Sequence, residues 1–187
     1  MSLPVRQAGR LADDAGRTLT WSIADGRHGR RWRWTVVDRR GALLVTHTLE
    51  TDRRGQFLRL ESAAASGLLT LHREADGSIH GNRIAERGVD HLILEAPAPG
   101  AFLIGRTELG VAILLAALKR PASKVPIDLV EVGDDLAIRL VNATIRPDED
   151  GAWEVRTNRL TRRATLGPDG LPESSDHDAV RWPLEHP

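Results

Sequence analysis

The sequence predicts a mainly β protein: a large curled antiparallel sheet, half-barrel or barrel-like, wrapped around one helix at about 108–119. Three observations lead there. Apolar and polar residues alternate with a period of two over most of the chain, which is the signature of strands with one buried face. The segments that separate these runs carry turn chemistry. One segment alone changes period to that of a helix.

The elements follow in order. Leu19, Trp21 and Ile23 alternate with Thr18, Thr20 and Ser22, and Trp32, Trp34 and Val36 alternate with Arg31, Arg33 and Thr35. Asp25-Gly26-Arg27-His28-Gly29 reads as the turn between them. Extended segments follow at 42–50, 56–61, 68–73, 78–84, 91–95 and 101–107, divided by Arg40-Gly41, Arg54-Gly55, Asp76-Gly77, Arg87-Gly88 and Pro97-Ala98-Pro99-Gly100. Short strands joined by such turns favour an antiparallel meander over alternating βαβ units. From Glu108 to Lys119, Leu109, Ala112 and Leu115, with Val111, Leu114 and Leu118 one face over, recur at spacings of three and four. A helix apolar over most of its circumference is expected to be packed inside the sheet. Strands resume at 126–132, 136–145, 153–159 and 160–166, giving ten to twelve in all.

One domain is expected over 1–187, because a chain of 187 residues is able to bury roughly 70% of its unfolded surface in one core. The reading assigns a short flexible N-terminus at about 1–16 and an irregular tail at about 167–187 that docks back through Val180, Trp182 and Leu184. No cysteine is present, which excludes disulfides, a thiol nucleophile and cysteine-ligated metal. The first residues lack the apolar core of a signal peptide, so a cytoplasmic location is expected. The longest apolar run, at 109–118, has ten residues where a spanning helix needs about 20. No membrane span is expected. The charges sum to zero, yet residues 17–60 hold ten arginines against four acids and residues 121–151 hold three basic groups against seven acids. Zero net charge and few aromatics argue against a nucleic-acid partner.

Trp32 and Trp34 share one strand face, with Arg31 and Arg33 on the other. Core packing is the plainer reading of the pair. The functional one is an aromatic wall for an apolar or amphipathic molecule, with Arg33 and Arg59 as guanidiniums for its head group. His80 and Asn82 share a face, and His91 joins them if the two strands pair as a hairpin. These three complete the candidate ligand-binding set. Their spacing matches no zinc or facial-triad signature, and Ser62, Ser66 and Ser78 lack a nucleophile-elbow context. No catalytic residue, metal ligand or cofactor is therefore assigned.

Three stretches carry a family likeness: Arg31-Trp32-Arg33-Trp34, the run Gly67-Leu68-Leu69-Thr70-Leu71-His72-Arg73-Glu74-Ala75-Asp76-Gly77, and Arg120-Pro121-Ala122-Ser123-Lys124-Val125-Pro126-Ile127. In these the chain resembles a bacterial family of uncharacterised proteins named for glycolipid binding. The resemblance implies a half-barrel similar to that of the periplasmic lipoprotein carriers, with a lid of helix and loop. Three functional readings stand side by side. The first is a non-enzymatic binder of a glycolipid-like or other apolar or amphipathic small molecule in a concave sheet. The second is a hydrolase or isomerase using His80 and His91, and the third an interaction module forming homo-oligomers through a strand edge.

Overall fold

The computed structural model describes residues 6–12, 15–95, 101–173 and 180–183. It is mainly β, with one short helix and two sheets. In chain order the elements are β1 (Arg6–Ala12), β2 (Thr18–Asp25), β3 (Gly29–Val37), β4 (Leu43–Asp52), β5 (Phe57–Ala64), β6 (Gly67–Arg73), β7 (Ile79–Ala85) and β8 (Gly88–Leu94). They continue as β9 (Phe102–Ile104), α1 (Glu108–Ala117), β10 (Val125–Val132), β11 (Ile138–Pro147), β12 (Ala152–Thr157), β13 (Thr161–Thr165) and β14 (Val180–Pro183).

Nine strands form an antiparallel meander in the order β14-β1-β2-β3-β4-β5-β6-β7-β8. Its hairpins are set by local chemistry. Asp38-Arg39-Arg40-Gly41 and Asp52-Arg53-Arg54-Gly55 are the same four residues in the same turn. In each, the aspartate Oδ1 accepts two backbone N–H bonds at 2.8 Å, and the glycine adopts a positive φ of 82° or 79°. Side-chain oxygens that mimic a backbone acceptor, followed by a residue free to turn left-handed, make such loops self-sufficient.

The other five strands run β13-β12-β11-β10-β9, and β9 joins β10 in parallel. The helix touches both edges of this sheet, β9 and β13, so the sheet curls around it and α1 closes the opening. That explains why α1 is apolar almost all round. Leu109 and Ile113 enter the core between the sheets, with Trp34, Leu49, Leu69, Phe102, Val130 and others. Val111, Leu114 and Leu115 enter a second core with Leu103, Leu129, Ile145 and Val155. Phe57 of the large sheet stacks on Phe102 of the curled one at 4.1 Å between ring centres, a pairing worth about 1 kcal/mol beyond its buried area.

The mainly β fold, with a curled sheet around one helix, is as expected; four details of it change. The strands divide into two sheets instead of one, because the crossover through β9 and α1 starts a new parallel pairing; the sheet wrapped around the helix is the five-stranded one. The helix ends at Ala117, short of Lys119, since Lys119 and Arg120 turn left-handed with φ of 56° and 49° and the Arg120 N–H bonds back to the Leu115 carbonyl at 2.9 Å, a common helix ending. The segment at 1–16 expected to be flexible contains β1, held on both sides by β2 and β14. Its Gly9 leaves room for the Trp21 indole, which an added Cβ would meet at 2.5 Å. Likewise the tail expected to be irregular contains β14, where Val180 and Trp182 pair with β1. The Pro97-Ala98-Pro99-Gly100 turn and the docking of Leu184 lie outside the described residues.

Candidate functional site

The structure splits the predicted set between two faces of the large sheet. Trp32 and Trp34 point into the core and are 2% and 1% exposed. Arg33 and Arg59 stand on the opposite, solvent-facing side, as the strand alternation requires; Arg59 is ion-paired with Glu61. His80, Asn82 and His91 all lie on that outer face, and two of them meet: Asn82 is the register partner of His91, and their side chains are 2.6 Å apart, Nδ1 to Oδ1. His80 sits beside His72 with ring centres 6.3 Å apart. The tryptophans and the polar groups are thus on opposite sides of the sheet and do not share a pocket. Trp32 reaches a cleft of about 720 Å³ with Arg30, Arg53, Arg54 and Lys119 on its walls; the Arg30 guanidinium lies 5.3 Å over its ring.

A different constellation forms where the two sheets meet. His47 lies on the inward face of β4, fully buried between Val45 and Leu49. Its Nδ1 shares a hydrogen bond of 2.7 Å with Ser62 Oγ on β5. Its ring is tilted against Trp34 at 4.7 Å, and its Nε2 is 4.0 Å from Asp134 Oδ1. Among the described residues, His47 Nε2, Asp134 Oδ1 and Trp34 Nε1 are buried without a hydrogen-bond partner. They converge on Gly105, whose φ is +65°; a Cβ there would lie 3.1 Å from Asp134 Oδ1, 3.5 Å from His47 Nε2 and 3.7 Å from Trp34 Nε1. Buried polar atoms are rarely left unmatched, so three around one glycine mark a place built for polar contact. Serine, histidine and aspartate stand in a row here, but Ser62 is 3% exposed and abuts the histidine within the core. A serine hydroxyl enclosed in this way is not presented to solvent, as a nucleophile would be.

The same loop opens a cleft on the other side. The β10–β11 connection contributes Gly133 and Asp135, and Arg106 follows Gly105; with Arg17, Glu131, Arg139, Arg159, Leu160, Thr161 and Arg162 they enclose about 460 Å³. Five arginines face two carboxylates. Arg162 comes from β13 with its side chain turned inward, is 8% exposed, and its Nη1 has no partner among the described residues. Burial pushes its guanidinium below the ordinary arginine value; Glu131 and Asp134 work against that, and Arg106 adds to it. Glu131, beside it on β10, is 4% exposed with Oε2 also unmatched. Around the rim, Arg139 holds Asp135 at 3.5 Å. Burial alone would raise the Asp135 carboxyl, but the Ala137 N–H and Arg139 outweigh it and hold it below the usual range. Leu136 in this loop has φ of 61° while 1% exposed, a strained backbone of the kind found at functional loops.

Sequence reasoning passed over His47, Asp134, Glu131 and Arg162. A signal existed for three of them: His47, Glu131 and Arg162 each occupy an inward position of an alternating strand, where an apolar residue is the rule. Asp134 had none, since it reads as an ordinary turn residue.

No protein family and no curated protein matches the chain. Among solved structures it is similar to a DUF1089 family protein from Pseudomonas aeruginosa, with 13% identity over 95% of this chain and 93% of that one and a TM-score of 0.49. Among the described residues no helix is long and apolar enough to cross a membrane.

Proposed function

We propose that the protein binds a small molecule through a phosphate or carboxylate group seated on Arg162 in the cleft between β10, β13 and the Gly133–Asp135 turn. The observation that carries this reading is Arg162 itself, a residue more than nine-tenths buried whose Nη1 donor is unmatched in a cleft where arginines outnumber acids. A buried charge without a full complement of partners is costly, and planar guanidinium donors are suited to bidentate contact with carboxylate or phosphate. Arg106 and Arg159, both exposed on the rim, would steer and hold the same anion. The cleft volume falls within the range of small-molecule sites.

This reading keeps the small-molecule binder expected from the sequence and changes its chemistry. A glycolipid-like or amphipathic ligand remains admissible through an anionic head group, but Leu160 is the one large apolar residue lining the cleft, so a polar anion is favoured over a lipid tail. The reading with His80 and His91 as acid–base pair has less support, because both stand on an open sheet face with His91 engaged by Asn82.

The test is calorimetric titration with inorganic phosphate, citrate, a sugar phosphate and a neutral glycolipid in detergent. Phosphate or carboxylate ligands are expected to bind and to lose at least about tenfold in affinity in the Arg106→Gln/Arg159→Gln double variant. Both positions are exposed, so folding is preserved. Arg162→Gln is expected to abolish binding. Unchanged affinity in these variants, or binding of the neutral glycolipid alone, overturns the proposal.

A further inference from the structure

Of the four sheet edges, β9 and β13 are covered by α1, and β14 carries Pro183, a residue that blunts an edge. The fourth edge, β8, has no neighbour among the described residues on its outer side. It carries no proline and no lysine, and its pairing with β7 runs through without a bulge. Edges of this kind are templates for pairing with another strand.

The solvent face at this edge is apolar in one row. The register aligns Leu68 of β6, Ile84 of β7 and Val89 of β8, and these are 48%, 44% and 53% exposed. Ile93, two rungs along, is 71% exposed. We infer that β8 pairs with β8 of a second copy of this chain, antiparallel about a two-fold axis at His91, joining the two nine-stranded sheets edge to edge. In that register Val89 lies opposite the partner's Ile93, and Ile93 opposite the partner's Val89, so the apolar row continues across the axis. The same register sets Arg87, in the β7–β8 turn, opposite the partner's Glu95, and Glu95 opposite the partner's Arg87. Among the described residues neither group has a side-chain partner within its own chain. Matched apolar and opposite-charge pairs across strands are the elements that stabilise a sheet. The neighbouring registers lack this match: an axis at Asp90 sets that carboxylate against its own copy, and an axis at Leu92 sets Val89 against the partner's Glu95. Self-complementarity of both apolar and charged positions in one register is what commits the edge to a second copy.

Analytical ultracentrifugation over a wide concentration range tests this. The wild-type chain is expected to show a monomer–dimer equilibrium. Ile93→Lys is expected to leave a monomer. Arg87→Glu alone and Glu95→Arg alone are each expected to weaken the dimer by about tenfold, and the Arg87→Glu/Glu95→Arg double variant to restore it. All three positions are exposed, so the monomer fold is retained in each variant. A wild-type monomer at every concentration overturns the inference, as does a dimer indifferent to Ile93→Lys or a double variant no tighter than the single ones.

Discussion

Replacing Gly105 by alanine probes the polar cluster with the smallest change available. Two costs add. The backbone at φ +65° is left-handed, which costs a residue with a Cβ about 1 kcal/mol. The new methyl also falls among Asp134 Oδ1 at 3.1 Å, His47 Nε2 at 3.5 Å and Trp34 Nε1 at 3.7 Å. The first contact is tighter than van der Waals packing normally allows, and relieving it by displacing packed neighbours costs about 2 kcal/mol. Gly41→Ala is the control: its φ is +82° and nothing lies within 4 Å of its Cβ position, so it carries the backbone cost alone. With an unfolding entropy of about 0.4 kcal/mol/K for a chain of this size, the expected fall in Tm is about 7 °C for Gly105→Ala and 2–3 °C for Gly41→Ala. Calorimetric melts of the two variants side by side measure the difference. Equal losses, or a more stable Gly105→Ala protein, refute the argument that the cluster is sensitive to an apolar intruder.

Further outcomes follow from the same geometry. Ser62→Ala removes the partner of His47 Nδ1 inside the core and is expected to cost about 1–3 kcal/mol in urea unfolding; a change within error means that the pair is not held as described. Acid stability is set by carboxylates whose folded values lie below their ordinary ones. Asp76 is lowered by the Ser78 hydroxyl and N–H, and Glu154 by its hydrogen bond to Arg146. For Asp150 the Ala152 N–H leads, helped by Arg163, and Asp135 is held down by Ala137 and Arg139 against its burial. A carboxyl depressed in the folded state contributes stability above its unfolded pKa of about 4 and loses it as the pH falls through the lower folded value. Tm is therefore expected to hold from pH 7 to about 5 and to fall below about pH 4, with Glu154→Gln flattening the fall; an acid limb unchanged in that variant would remove Glu154 from the account.

The alternation of Trp32 and Trp34 with Arg31 and Arg33 assigned faces correctly, because side-chain direction along a strand is a local property of the pleat. The turn residues placed the hairpins for the same reason: Asp38 and Asp52 close their loops with bonds inside four or five residues. Pairing of β7 with β8 was legible too, and with it the meeting of Asn82 and His91. The cluster was not. His47, Ser62, Gly105 and Asp134 come from β4, β5, the segment after β9 and the β10–β11 loop, and no spacing along the chain encodes their convergence.

The positions of β2–β8 and β10–β13, their buried faces, the turns and the single helix were thus determined by the sequence alone, since each depends on interactions within a few residues. The tertiary structure alone decided that the strands form two sheets, that β1 and β14 pair at the edge of the larger one, that α1 closes the smaller one, and which partners His47 and Arg162 meet inside. The division into two sheets rests on β9, three residues buried on every side, whose parallel pairing with β10 and packing against the large sheet come from contacts distant in the chain, where local periodicity carries no information.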